Sequence, residues 1–262
     1  MRAADDIVDG IHDAPPELTQ ARLNAFRAAT DSALAGRPEP EPLWIGLTHA
    51  AERFRLPPEH FHGMLDGQLD DLAKGIHETF DELRNYCYRV ASTVGLICIE
   101  IWGYSDDAAR DLAVDRGIAF QLTNIVRDYK QDFDAGRIYL PQEDFQQHGI
   151  DPHTLRHWSK PAACLSMMKQ QIQRAESFYW RSAGLLELIT PHCRPTLWAM
   201  TRIYHGLLKK MNRNPARVIL TKRLRLSALR KGAIAVRAKW LARSAHNPAM
   251  HQSAAMSGNS TA

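Results

Sequence analysis

"SDDAARDLAVDRGIAFQLTNIVRDYKQDFDAG" (residues 105–136) is the stretch whose reading decides the fold. Ser105 is placed to cap a helix N-terminus and Gly136 to close the C-terminus of the same helix. Between them Gln121, Asn124, Asp128 and Asp132 follow at steps of three, four and four, so they project from one face of that helix. Their neighbours Leu122, Ile125 and Val126 are apolar, which places the helix in a core and turns its polar stripe into a cavity or across a groove. Two carboxylates one turn apart are costly to bury without a partner. A hard divalent cation such as Mg²⁺ is the natural partner, because it takes oxygen ligands and binds through one or two carboxylates together with phosphate oxygens.

The first ten residues, "MRAADDIVDG", repeat the geometry. Asp5 and Asp9 are one turn apart, Arg2 precedes them as Arg127 precedes Asp128, and Asp6 falls off their face. Two such helices facing one another would hold Mg²⁺ around a diphosphate, with Arg2 and Arg127 neutralising outer oxygens.

The rest of the chain also reads as helix, with a period near 3.6 and almost no β-branched alternation. "AGRPEPEPLW" (35–44) breaks one helix and the paired prolines of "RLPPEH" (55–60) start another. Thr79 and Glu82 form a capping pattern ahead of a long apolar helix over 79–103. Pro161 and Pro191 mark the approximate starts of two more. No Gly-rich phosphate loop or dinucleotide pattern is present. The expectation is a single all-α domain over residues 1–243, with 244–262 as a disordered tail.

Composition narrows the function. The four cysteines form no CxxC pair, which suits reduced thiols, and no secretory leader or membrane-spanning run is seen; "VGLICIEIWGY" (94–104) is interrupted by Glu100. Beyond Glu187 there are 14 Lys or Arg and no Asp or Glu, so against a net charge of +4 the first 187 residues carry about −10. Helical spacing in "RPTLWAMTRIYHGLLKKM" (194–211) places much of that positive charge on folded structure rather than on a nucleic-acid-binding tail. It suits a polyanion or an anionic membrane surface, with a solvated basic face as the alternative. Arg223, Arg225 and Lys231 face either phosphates or solvent.

"RAADDIVD" and "AFQLTNIVRDYKQDFDAGRIYLP" closely resemble the two aspartate-rich signatures of the squalene and phytoene synthase family. "DGQLDDL" (66–72) and "NYCYRVASTVGL" (85–96) also resemble family segments, and the resemblance runs from residue 2 to about residue 230. It implies an isoprenoid-synthase-type helical bundle with a central cavity, joining two prenyl diphosphates head to head. Asp5, Asp9, Asp128 and Asp132 are then the catalytic Mg²⁺ ligands, with Mn²⁺ as a substitute. Arg2, Gln121, Asn124, Arg127 and Tyr204 match contacts to substrate and diphosphate. Asp71 matches an acidic family position, with surface charge as the alternative. Tyr86 and Tyr88 either line the prenyl cavity or belong to the core, and the HxH of His60 and His62 reads as structural.

The resemblance implies ionisation of an allylic diphosphate, attack by a second prenyl double bond, and proton loss to a cyclopropyl diphosphate. The reading leans towards farnesyl diphosphate and a presqualene or squalene product. The alternatives are geranylgeranyl diphosphate to phytoene and a non-catalytic assembly factor; use of NADPH is left open. The expected location is the cytoplasm, with peripheral attachment to the membrane and no nucleic-acid partner. Relatives carry several dozen residues ahead of the first motif, so Met1 stands where a helix should already be under way. The expectation is a start placed too late, with true truncation as the alternative.

Overall fold

A computed structural model describes residues 2–9, 16–72, 76–221 and 223–246; within these, the side chains of Arg2, Asp5, Val8, Asp9, Pro16, Asp71, Leu72 and residues 244–246 are not described. The elements are α1 (Arg2–Asp9), α2 (Pro16–Leu34), α3 (Pro42–Phe54), α4 (Pro58–Leu72), α5 (Phe80–Cys87), a π-turn (Tyr88–Ser92), α6 (Thr93–Trp102) and α7 (Ala108–Asp134). They continue with α8 (Gln142–Gln147), α9 (Pro152–His157), α10 (Pro161–Arg181), α11 (Leu185–Leu188), α12 (Arg194–Arg213), α13 (Pro215–Leu220) and α14 (Ala228–His246). Among the described residues there is no strand, only an isolated antiparallel bridge between Tyr104 and Ile189.

The all-α expectation holds, and α7 is the axis. It packs against α10, the π-turn, α6, α12 and α13, and one contiguous core built around it includes Ile118, Leu122, Val126, Met168, Ile172 and Leu208. Its ends separate the good sequence signals from the misleading one. The C-terminus closes in a Schellman motif, with Gly136 at φ 78°, Gly136 N donating to Phe133 O at 2.9 Å and Arg137 N to Asp132 O at 2.7 Å. The N-terminus starts at Ala108, whose N–H is taken by Asp106 Oδ1 at 2.8 Å. Ser105 does not cap it: both its N–H and its hydroxyl donate to Leu188 O, tying the loop before α7 to α11. Pro191 likewise lies in a turn, and α12 begins at Arg194 with Pro195 in its first turn.

The predicted helix over 79–103 is present but interrupted. Thr79 Oγ1 accepts from Glu82 N at 3.3 Å, and Glu82 Oε2 in return accepts from Glu78 N at 2.7 Å, a capping box shifted by one residue. The helix then widens into the π-turn, where neighbours come very close on two sides. A Cβ added to Gly67 of α4 would sit 2.6 Å from Val90 Cγ1, and one added to Gly117 of α7 would sit 2.5 Å from Ser92 Cα. Two glycines therefore let α4 and α7 clamp the widened turn, and Ser92 Oγ donates to Val114 O at 2.7 Å across the second contact.

On the far side, α1 packs on α2 and α4, with Ala4 fully buried against Met64 and Leu65. The first aspartate-motif helix is thus folded onto the bundle, although the side chains of Arg2, Asp5 and Asp9 lie outside those described. Asp6 is exposed, as its phase requires. No helix among the described residues is long and apolar enough to cross a membrane.

Candidate active site

The polar stripe of α7 opens into a cleft of about 240 Å³ lined by Gln121, Asn124, Arg127, Asp128 and Asp132, closed on its other side by Tyr86, Arg137 and Tyr139. A second cavity of about 270 Å³ is walled mainly by apolar groups from the π-turn, α6, α7 and α12, among them Val94, Cys98, Phe120 and Met200. Gln121 and Asn124 line both spaces. Tyr204 lines the apolar cavity and packs on Phe120 with ring centroids 4.7 Å apart. The structure thus brings together Gln121, Asn124, Arg127, Asp128 and Asp132, all on α7, with Tyr204 from α12.

Charge in the cleft is arranged in a way the linear pattern does not show. Arg127 binds both carboxylate oxygens of its neighbour Asp128, through Nε to Oδ1 at 2.7 Å and through its terminal nitrogen to Oδ2. Arg223 binds the same two oxygens, each at 2.7 Å. Asp128 therefore stands between two forked guanidinium groups, the geometry in which an arginine–carboxylate pair is strongest. Burial works against the Arg127 charge, but the hydrogen bond and charge of Asp128 outweigh it and hold that guanidinium above its ordinary range.

Beyond Arg127 lies a third space of about 270 Å³ that Tyr204, Arg223, Arg225 and Lys231 also line. Of the three cations left undecided by the sequence, Arg223 is an ion-pair partner inside the site, and Arg225 and Lys231 border it.

Asn124 adds a buried side-chain oxygen, Oδ1, that has no hydrogen-bond partner. An orphan acceptor beside two carboxylates, at the junction of polar and apolar spaces, is a hard oxygen donor set. Those residues fit Mg²⁺ or Mn²⁺, although among the described residues no cluster of three His, Cys, Asp or Glu side chains forms by itself.

Other expectations resolve differently. Tyr86 is buried between Tyr139 and His77, with ring centroids 5.3 Å from each, whereas Tyr88 is 38% exposed. His60 is buried, and His62 turns outward to Asp31 at 2.6 Å, so the HxH pair does not converge. Asp71 lies outside the described side chains. The four cysteines remain free thiols, and burial pushes those of Cys87, Cys98 and Cys164 up.

Sequence reading missed Arg137 and Tyr139, although "RIYLP" (137–141) directly after the helix-closing glycine was a usable signal. It also missed Arg116, which is buried on α7 and lines the apolar cavity. Arg116 donates to Ser182 Oγ at 3.0 Å, to Ser182 O at 2.8 Å and to Thr201 Oγ1 at 2.8 Å.

An all-α bundle with a carboxylate-bearing cleft beside an apolar cavity, the two sharing Gln121 and Asn124 as wall residues, defines a class of protein suited to a charged head group and an apolar tail. The sequence matches the squalene/phytoene synthase family over residues 1–230, and the chain belongs to that family. It is 33% identical over 226 residues to a phytoene synthase of Arthrospira platensis, covering 81% of this chain and 72% of that one. It is 32% identical over 239 residues to a chloroplastic phytoene synthase of Narcissus pseudonarcissus, covering 87% of this chain but 56% of that one. The chain thus spans little more than half the length of this plant relative.

Among solved structures, a dehydrosqualene synthase superposes with a TM-score of 0.79 at 27% identity, covering 93% of this chain and 83% of the other. A squalene synthase from Alicyclobacillus acidocaldarius superposes at 0.74 with 25% identity, covering 81% and 79%. The sequence relatives favour the phytoene alternative over the farnesyl reading to which the residues alone inclined.

Proposed function

We propose that this chain is a catalytic prenyl transferase that joins two prenyl diphosphates head to head and releases diphosphate, with geranylgeranyl diphosphate as substrate and phytoene as product. The observation that carries the reading is the meeting of the polar cleft and the apolar cavity at Gln121 and Asn124. One amphiphilic substrate placed across that junction has its diphosphate beside Asp128, Asp132 and Arg127 and its chain among Val94, Cys98 and Phe120. The choice of geranylgeranyl rests on relatives named phytoene synthase at about 30% identity and above. Likeness to the dehydrosqualene synthase structure keeps farnesyl diphosphate as a second reading.

In this reading Asp128 and Asp132, with Asp5 and Asp9 from α1, hold Mg²⁺, for which Mn²⁺ can substitute. The bound cation supplies positive charge against the departing diphosphate. The amides of Gln121 and Asn124 orient the head group, and Arg127 and Arg223 exchange part of their hold on Asp128 for phosphate oxygens. The apolar walls keep water from the allylic cation left when the C1–O bond breaks, and the ring faces of Phe120 and Tyr204 offer it electron density. The phytoene outcome needs no NADPH. The product is too apolar to leave into water, so peripheral attachment to a membrane belongs to the proposal.

The test is incubation of the purified chain and Mg²⁺ with each diphosphate, followed by extraction and mass analysis. A forty-carbon product from geranylgeranyl diphosphate supports the reading, and a thirty-carbon product made only from farnesyl diphosphate replaces it with the second. No diphosphate release from either, above that of Asp128→Asn, would leave a non-catalytic family member.

A further inference from the structure

The last described helix, α14, has apolar residues on two opposite sides. Ile234, Ala238 and Leu241 are partly buried on the side turned to the bundle, where α14 packs along α12 and Ile234 meets the main core. On the other side Leu229, Val236 and Trp240 are 87%, 71% and 62% exposed. At 3.6 residues per turn these three lie within roughly 40° of one another, a single stripe directed away from the bundle. Isolated exposed apolar residues need no explanation, but three in register along one helix mark an interaction surface.

The flanks of the stripe say what it fits. Arg230 and Arg237 border it on one edge, Lys239 and Arg243 on the other, and all four are exposed. Arg237 also lies over the ring of Trp198 on α12, 5.8 Å from its centroid. No Asp or Glu follows Glu187, so α14 carries no acid that could neutralise this edge. An exposed row of Leu, Val and Trp between two rows of cations is the pattern of a helix lying in the plane of an anionic lipid surface. An acidic protein groove would match the cations but not the exposed leucine and tryptophan at the two ends of the stripe.

We infer that α14 is the face by which this protein lies on an anionic bilayer, with Leu229, Val236 and Trp240 entering the lipid interface and the flanking cations binding head groups. The same helix reaches the reaction site at its N-terminal end, where Lys231 lines the space that Arg127, Tyr204 and Arg223 share. A helix seated on the membrane would thus hold that space close to the lipid from which a prenyl substrate arrives. The inference rests on the peripheral attachment proposed above for its partner, but its test does not depend on activity.

The experiment is sedimentation of the full chain with vesicles of phosphatidylcholine alone or mixed with phosphatidylglycerol, at low and high salt. The wild-type chain is expected to bind the mixed vesicles and to lose much of that binding in high salt. A Leu229→Ser, Val236→Ser, Trp240→Ser variant and an Arg237→Glu, Lys239→Glu, Arg243→Glu variant should each lose about tenfold or more in partitioning, with unchanged circular dichroism. Equal binding of wild type and the serine variant overturns the inference, as does binding indifferent to lipid charge. A change in sedimentation coefficient of the serine variant without lipid, with vesicle binding intact, assigns the stripe to a second copy of the chain instead. Vesicle binding by a chain that releases no diphosphate would uphold α14 and sink only the catalytic reading.

Discussion

Arg223 reaches across 95 residues of sequence to bind both carboxylate oxygens of Asp128, each at 2.7 Å. The proposed metal ligand is thereby locked to the basic segment between α13 and α14, and Arg127 grips it from its own helix. For Asp128 to accept a cation, at least one of the two forks must let go. In the proposed reaction a diphosphate arriving with the cation would give the released guanidinium a new anion, which would couple metal and diphosphate binding through Arg223.

The coupling predicts opposite effects on the two ligands. Arg223→Ala should tighten Mn²⁺ binding to the free protein and weaken inorganic diphosphate binding in the presence of Mg²⁺, each by about tenfold or more, the scale of ~1.5–3 kcal/mol for a hydrogen bond to a charged group. Titration calorimetry separates the two. Weakening of both ligands together would mean that Arg223 only supports the fold around Asp128.

The carboxylates themselves should be far less tolerant. Asp128→Asn and Asp132→Asn keep the shape and remove the charge, and each is expected to lower diphosphate release by about 100-fold or more, comparable with losing one preorganised charge-stabilising group. Chelation of divalent cations should abolish release, and excess Mg²⁺ should restore it. Near-normal turnover in both variants would remove the second aspartate motif from the site.

Depth of the apolar cavity should set substrate preference. Cys98 lies in its wall, and Cys98→Phe adds bulk where a prenyl tail would run. Competition between the two diphosphates should then shift by about tenfold towards farnesyl, the scale of ~1–3 kcal/mol for a misfit in an apolar pocket. An unchanged ratio with normal turnover would place the tail elsewhere.

The clamp on the π-turn makes a prediction about stability. Alanine normally favours a helix over glycine by about 1 kcal/mol. At Gly117 the added Cβ meets the Ser92 backbone at 2.5 Å, so Gly117→Ala should instead destabilise by roughly 1–3 kcal/mol. Gly46 in α3 has nothing within 4 Å of its Cβ position and serves as the control, with Gly46→Ala neutral or stabilising. Thermal melts of the two variants, moving in opposite directions, would bear out the close approach.

Two buried histidines give the fold a pH dependence. Burial holds the imidazoles of His60 and His77 below the ordinary histidine range. The unfolded chain takes up their protons near about pH 6.5, while the folded chain resists until the pH is lower. The stability that the neutral rings contribute is therefore complete above about pH 6.5 and is lost as pH falls through the folded values. Melting temperatures of the wild type should drop more between about pH 7.5 and 5.5 than those of a His60→Gln, His77→Gln variant. Parallel curves would assign the pH dependence to other groups.

The sequence by itself determined the all-α class, most of the long helices and the polar face of α7. Those depend on interactions between residues three or four apart and on end signals such as Gly136 and Thr79, all of which are written locally. It also determined that Gln121, Asn124, Asp128 and Asp132 share a face, because helical phase follows from spacing alone. Where a competing partner was distant, the local signal misled: Ser105 had the chemistry of a cap but bonded Leu188 instead.

Tertiary structure alone decided the second fork on Asp128, the clamping of the π-turn by Gly67 and Gly117, and the joining of cleft to cavity at Asn124. It also decided which apolar residues of α14 are exposed, since its two apolar sides look alike in the sequence. Each of these depends on how helices distant in sequence pack together, and side-chain volumes and charges summed across such contacts leave no period for a linear pattern to carry.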